Sequence, residues 1–161
     1  MNWKRLLRLL AKYFNKPMEL TKAERLVNLA VSRLGLDFTD DKVLDDEVSC
    51  AFAVTTLLNE IDGRIPIIHG TYQLLNYLET STLFQRVYEP QGGDIVVSAT
   101  GTSKNNTLVP RGHTGIYQNT TQILSNDSMT GKFIQNYTRD SWRERWYYQG
   151  HYPVKLFRFI S

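Results

Sequence analysis

The chain has 161 residues, 42% of them hydrophobic and 22% charged, a composition typical of a folded globular protein rather than a disordered chain. Its formal net charge of +3 gives a modest preference for anionic surroundings and identifies no partner by itself. The single cysteine excludes an internal disulfide. The sequence contains no run of eighteen apolar residues, so no transmembrane span is predicted. The length predicts one domain over residues 1–161.

The N-terminal segment predicts an amphipathic helix over residues 3–14. Its leucines and aromatic residues recur at helical spacing on one face, and its basic residues lie largely opposite. Such a helix either packs on its own domain, the commoner arrangement, or lies on an anionic lipid or envelope surface. Arg8 and Lys12 interrupt any apolar signal core, and no small-residue cleavage site follows, so no signal peptide is predicted.

Three further helices are predicted in the first half of the chain. Thr21 and Glu24 match a capping box that begins the first of them, and Gly35 is expected at its C′ position. The second is predicted over residues 48–60, where apolar residues repeat at intervals of three and four. The third is predicted over residues 71–78.

After Phe84 the pattern changes from helical to extended. Short runs of β-branched and aromatic residues between turn residues predict strands in GGDIVVS, HTGIYQ, TQILS and VKLFRF. Helices followed by strands predict an α+β domain with helices packed on an antiparallel sheet. No repeat or linker divides the chain, which is organised as an N-terminal helical segment over residues 1–36 and a core over residues 45–161.

Cys50 and His113 are the residues on which catalytic chemistry would depend. A lone cysteine is more often a small buried apolar residue than a nucleophile, but Cys50 lies near the predicted start of the central helix, where the helix dipole lowers a thiol pKa. His113 lies at a strand start between Gly112 and Gly115, which leave room for a substrate chain. The imidazole would act as general base, or as the cation of a preformed ion pair, and would then protonate a leaving amine.

A third polar group is expected to orient the imidazole by accepting its second N–H. The next predicted strand contains three candidates, Ser125, Asn126 and Asp127. Side chains alternate along a strand, so Asn126 faces one side while Ser125 and Asp127 face the other. The sequence leaves open which side meets the ring.

The ordered set of motifs resembles the papain-like peptidoglycan hydrolases of the NlpC and CHAP types. It consists of VSCAFAV on a helix, then GDIVVS, GHTGIY and a hairpin into ILSN, and it spans about residues 45–161. The later SNDSMTGKFIQNYTRDSW and the terminal YPVKLFRF resemble phage-encoded members. The resemblance implies a papain-like core with Cys50 as nucleophile and His113 as base.

The resemblance also bears on the third residue and on the oxyanion donors. Asn126 is narrowly preferred, because it gives a Cys-His-Asn set, whereas Ser125 is a poor orienting group and Asp127 would give a charged set. Ser49 differs from the residues that are usual before the cysteine in these families, and Ala51 differs from those usual after it. The Cys50 backbone N–H is therefore the safest candidate for the oxyanion donor.

The activity implied is hydrolysis of an amide bond in bacterial peptidoglycan, with no metal or organic cofactor. The implied setting is a phage lysin or virion-associated hydrolase that reaches the periplasm or wall through a holin, a virion or a secretion machine. The alternatives are an interbacterial amidase effector with an immunity protein, and a non-catalytic phage structural or wall-binding module. A papain-like lipid acyltransferase is disfavoured, because those enzymes run His before Cys. The sequence leaves open amidase or endopeptidase action and the oligomeric state.

The remaining polar and aromatic residues receive structural interpretations. Asp94 is expected to cap or orient the turn before its strand, and His69 and His151 are expected in loops. No familiar zinc-ligand spacing is present, and the scattered basic residues predict no nucleic-acid partner. A dense aromatic set is expected either to pack in the core and hairpins, which is favoured for the tryptophans, or to form a wall for glycan or stem peptide. It comprises Trp142, Trp146, Tyr147, Tyr148 and Tyr152.

Overall fold

The computed structural model describes Trp3 and residues 19–38, 49–99 and 112–160. The helices are α1 (Lys22–Ser32), α2 (Ser49–Ile61), α3 (Thr71–Thr80) and α4 (Arg139–Trp142), and a π-helical segment (Arg143–Gln149) follows α4 directly. The strands are β1 (Phe84–Val87), β2 (Ile95–Ser98), β3 (His113–Tyr117), β4 (Gln122–Asn126), β5 (Phe133–Thr138) and β6 (Lys155–Phe159). The amphipathic helix predicted over residues 3–14 lies outside the described residues, apart from the exposed Trp3.

Helix α1 begins with the capping box that the sequence predicts. The Glu24 backbone N–H donates to Thr21 Oγ1 at 3.2 Å, and the Thr21 backbone N–H donates to Glu24 Oε2 at 2.8 Å. The helix ends with Arg33 as its C-cap, so Gly35 lies one position beyond the predicted C′. Gly35 has a φ of +84°, which glycine adopts without strain, and its N–H donates to the Phe133 carbonyl at 2.8 Å. None of the described helices is long and apolar enough to cross a membrane.

The six strands form one sheet in the order β1-β6-β2-β3-β4-β5, and every neighbouring pair is antiparallel. The predicted α+β architecture, with helices packed on an antiparallel sheet, is confirmed. The four strands predicted from the sequence are the four inner ones. The two that the sequence analysis missed, β1 and β5, are the edge strands, whose polar, solvent-facing residues weaken the apolar pattern.

Apolar residues cover both faces of the sheet, because side chains alternate along each strand. One face packs against the first three helices in the larger core, to which the inner strands contribute Ile95, Val97, Ile116, Leu124 and Phe157. The other face packs against the segment that follows β5, and this smaller cluster contains Val96, Tyr117, Ile123, Leu156, Trp142 and Trp146.

The same alternation decides where the candidate site residues point. His113 and Ser125 are in phase with Tyr117 and Ile123, so they face the tryptophan side of the sheet. Asn126 is one residue out of phase with Ser125 and faces the helices. The sheet therefore separates the two candidates for the orienting residue.

Candidate active site

Cys50 is the second residue of α2, and its side chain is only 5% exposed. The backbone N–H of Thr114 in β3 donates to the sulfur. The Tyr117 N–H points to Asp94 on the β2 side, so the N–H of Thr114, three residues earlier, points toward β4. The β3–β4 pairing involves only Ile116 and Tyr117 of the described β3 strand. The thiol therefore accepts a hydrogen bond that a β4 carbonyl would accept in a longer ladder, and the donor, Thr114, is the residue that follows His113.

Burial raises the pKa of the Cys50 thiol to about 11, because the apolar surroundings disfavour a thiolate. The backbone N–H groups of Thr114, Ala51 and Cys50 itself act in the opposite direction and do not outweigh burial. The lowered thiol pKa expected from the start of a helix is therefore wrong in direction. The resting group at neutral pH is the thiol.

The imidazole of His113 is surrounded by aromatic rings. The Trp146 ring lies nearly parallel to it, at 9° with centroids 5.2 Å apart, and the Trp142 ring lies at 27° and 5.3 Å. Tyr137 meets it edge-on at 5.7 Å. Trp142 is fixed in turn by its Nε1–H, which donates to the buried Ser98 Oγ at 2.9 Å. The tryptophans are buried, as core packing predicts, and they also fix the position of the histidine.

The aromatic environment keeps this imidazole neutral. Burial, and after it the nearby Arg145 guanidinium, lower the pKa of His113 to about 4 against the opposing effect of the Asp127 carboxylate. Thiol and imidazole are therefore both uncharged at neutral pH. Two uncharged groups are inconsistent with the preformed ion pair, one of the two arrangements predicted for His113.

The residue against the imidazole is Ser125, and the preference for Asn126 is corrected. His113 Nε2 lies 2.9 Å from Ser125 Oγ, and Ser125 Oγ donates to Asn136 Oδ1 at 2.7 Å. Asn126 points to the other face of β4, where its Nδ2 donates to Ser49 Oγ at the start of α2. The strand register separates Asn126 from the ring.

Asn126 nevertheless belongs to the site, since it ties β4 to the residue before Cys50. Its side chain is 1% exposed, and its Oδ1 has no hydrogen-bond partner within the described part of the chain. The contact with Ser49 fixes the helix start, and with it the position of the thiol, against the end of β4. This is a structural role that the sequence analysis did not foresee.

A cleft of about 170 Å³ opens over these residues. Its walls carry one cation and one anion, Arg145 and Asp127, and Cys50 is not among the lining residues that the structure describes. Gly112 lines the cleft as expected, but Gly115 does not: a Cβ there would lie 2.7 Å from the Leu124 carbonyl oxygen, inside the sheet. The lining comprises Gly112, His113, Asn126, Asp127, Ser128, Asn136, Tyr137, Arg145 and Trp146.

The other singled-out residues lie away from the cleft. Asp94 accepts a hydrogen bond from the Gln91 backbone N–H at 2.7 Å, which orients the turn as predicted, and it also binds Arg158 through both oxygens at 2.7 and 2.8 Å. His69 and His151 are exposed loop residues, as expected. Within the described ranges, no cluster of three or more His, Cys, Asp or Glu side chains is placed to hold a metal ion.

Solved structures share this fold at low sequence identity. A chain of the type VI native effector–immunity complex Tae3–Tai3 from Ralstonia pickettii aligns with a TM-score of 0.53 and 14% identity, over 88% of this chain and 100% of that one. NlpC2 from Trichomonas vaginalis aligns with a TM-score of 0.54 and 18% identity, over 91% of this chain and 49% of that one. The chain has a papain-like, NlpC-like fold. No protein-family model and no curated protein sequence matches it.

Two parts of this site were missed at the sequence level. Asn136 lies on an unpredicted edge strand, and no motif marks it. The aromatic surroundings of His113 had a visible signal, because Trp142 and Trp146 are four residues apart, the spacing of neighbours on one helical face. The Thr138–Ser141 capping box at the start of α4 would have placed that face.

Proposed function

We propose that this protein hydrolyses an amide bond in bacterial peptidoglycan, with Cys50 as nucleophile and His113 as general base. The observation that supports the proposal is that, in an NlpC-like fold, Cys50 at the start of α2 is held against Thr114, the residue that follows His113 in β3. The thiol accepts a hydrogen bond from the backbone N–H of Thr114. The preceding residue is His113, whose Nε2 is hydrogen-bonded to Ser125 Oγ. The cleft beside the imidazole, which Gly112 also lines, is the proposed binding place for the substrate.

The proposed reaction starts from two neutral groups. As the sulfur attacks the substrate carbonyl, His113 takes the thiol proton, and the Cys50 backbone N–H donates to the developing oxyanion. The imidazolium then gives its proton to the leaving amine, and the C–N bond breaks to leave an acyl-enzyme. His113 takes a proton from water, the hydroxide attacks the thioester, and the carboxylic acid leaves as Cys50 regains its proton.

Digestion of purified peptidoglycan, followed by mass spectrometry of the muropeptides, tests the proposal. We expect the wild-type protein to release new fragments, and the Cys50→Ala and His113→Ala variants to release none while unfolding at unchanged temperature. His69→Ala is the matched control, because His69 is an exposed loop histidine, and it should act like the wild type. Unchanged muropeptides across walls of several chemotypes would leave only the non-catalytic wall-binding module.

The fragments also identify the bond. A free carboxyl group on the lactyl side chain of the amino sugar indicates an amidase, whereas a cut within the stem peptide or cross-bridge indicates an endopeptidase. We propose delivery to the periplasm or wall by a holin, a virion or a secretion machine, in keeping with a phage hydrolase. The basic and apolar segment over residues 3–14, for which the sequence predicts a helix, is proposed to aid contact with an anionic envelope surface.

The full-length likeness to a chain from a type VI effector–immunity complex favours a second setting, an interbacterial amidase effector. The chemistry is the same, but an effector is expected to have an immunity partner that blocks its cleft. Expression directed to the periplasm of a susceptible bacterium should then lyse the cells, the Cys50→Ala variant should not, and a neighbouring gene product should suppress lysis. If no neighbouring gene product suppresses lysis, the phage setting is favoured.

A further inference from the structure

We propose that Asn136 is a positioning residue, which acts through Ser125 to hold the His113 imidazole with its proton on Nε2 and its lone pair on Nδ1. The inference rests on the proposed function and deepens it, since it names the group that prepares the base. Its basis is a chain of two hydrogen bonds, 2.9 Å from His113 Nε2 to Ser125 Oγ and 2.7 Å from Ser125 Oγ to Asn136 Oδ1.

The direction of these bonds follows from counting protons. A serine hydroxyl has one hydrogen, and Ser125 donates it to the amide oxygen of Asn136. Ser125 Oγ can therefore only accept from the ring, so Nε2 must carry the N–H. A neutral imidazole carries one such proton, which leaves Nδ1 as the nitrogen with the free lone pair. That nitrogen is the one able to take the proton of Cys50.

A serine alone would not achieve this. Its hydroxyl can donate to a ring nitrogen as readily as accept from it, so it selects neither tautomer. The amide oxygen of Asn136 removes the ambiguity by occupying the hydroxyl proton. Ser125 is fully buried, so water does not compete for that proton. The pair thus supplies the orienting function that the sequence analysis assigned to Asn126.

A β-bulge in the edge strand delivers the amide. Leu124 pairs with Gln135 and Ile123 pairs with Tyr137, so Asn136 is the extra residue between two successive pairs. A bulge lets consecutive side chains face the same side of a sheet. Here Asn136 reaches Ser125 while the next residue, Tyr137, meets the imidazole edge-on. In a regular strand, one of these two contacts would be lost.

The relay is uncharged, and this suits the base it serves. A carboxylate at the position of Asn136 would stabilise the imidazolium and raise the His113 pKa. The charged groups near the ring are Arg145 and Asp127, of opposite sign, and the titratable group in contact with it is Tyr137, on which Cys50 acts in turn. The neutral amide of Asn136 therefore fixes the tautomer without adding a positive or a negative charge near the imidazole.

The test combines ¹⁵N NMR of the histidine rings with steady-state kinetics on peptidoglycan. In the wild type we expect His113 to show a protonated Nε2 and an unprotonated Nδ1. Asn136→Ala should give a mixture of tautomers and lower kcat about 10- to 100-fold with KM little changed, less than the roughly 10²–10⁴-fold worth of a general base. Asn76→Ala, at an exposed helix position, is the matched control and should change neither.

Asn136→Asp separates positioning from mere packing. Aspartate keeps an acceptor for the Ser125 hydroxyl, so the tautomer should be retained, while the acid limb of the pH–rate profile should move to higher pH. A wild-type tautomer in Asn136→Ala would overturn the relay whatever the activity. If the wild type shows the stated tautomer and Asn136→Ala loses it, but neither cleaves peptidoglycan, then the relay stands and the proposed function fails.

Discussion

The pH dependence of Cys50 alkylation tests the neutral resting state directly, since Cys50 is the only cysteine in the chain. With the thiol pKa raised to about 11, the thiolate fraction at pH 7 is on the order of one in ten thousand. The rate of reaction with iodoacetamide should therefore rise about tenfold for each pH unit between pH 6 and 9, with no plateau. Stopped samples analysed by intact mass give the rate at each pH.

The comparison state is the same chain in denaturant, where the thiol regains an ordinary pKa near 8.5 and the alkylation rate should level off above about pH 9. A preformed thiolate–imidazolium pair predicts something different, a rate already at its plateau at pH 6. Observing that plateau in the folded protein would refute the argument that burial outweighs the three backbone N–H donors around the sulfur.

Three further predictions concern stability. Because the His113 pKa is lowered to about 4, the unfolded chain binds a proton below about pH 6.5 that the folded chain does not. The free energy of unfolding measured with urea should therefore fall by up to about 3 kcal/mol as the pH is lowered from 6.5 to 4, and His113→Ala should abolish that fall. Trp146→Ala should cost about 3–5 kcal/mol at pH 7 and raise the His113 pKa in NMR titration; an unchanged pKa would contradict the role of the stacked ring. Gly115→Ala should cost about 1–3 kcal/mol, because its Cβ meets the Leu124 carbonyl oxygen at 2.7 Å and Ser125 Cβ at 3.2 Å; wild-type stability would show that the sheet yields there.

The parts of the fold that were predictable are those with local causes. The Thr21–Glu24 box predicts a helix start from four residues, and the inner strands carry apolar residues on both faces. The edge strands have no such signal, because their exposed positions tolerate polar residues. The central helix was predicted to within a residue or so, and this placed Cys50 at its start.

The parts of the site that were not predictable depend on tertiary packing. Alternation in β4 shows that Ser125 and Asn126 oppose each other, but the phase depends on which face of the sheet meets α2. The thiol pKa was expected to fall for a local reason, the helix start, and it rises for a non-local one, burial. Asn136 depends on a bulge, which changes the register by one residue without any marked sequence feature.

These non-local features act together on one proton. Burial makes a thiolate costly at Cys50, and the tryptophan rings make an imidazolium costly at His113, so neither charge forms alone. In the proposed reaction, transfer of the thiol proton to Nδ1 would create both charges at once, and each would then stabilise the other in the low-dielectric site. In the proposed reaction we therefore expect the cysteine to be a weak nucleophile toward solutes that reach it by chance, and to react when a bound substrate carbonyl approaches the sulfur. A neutral Ser125–Asn136 relay preserves that property, whereas a carboxylate partner would favour the ion pair before substrate arrives.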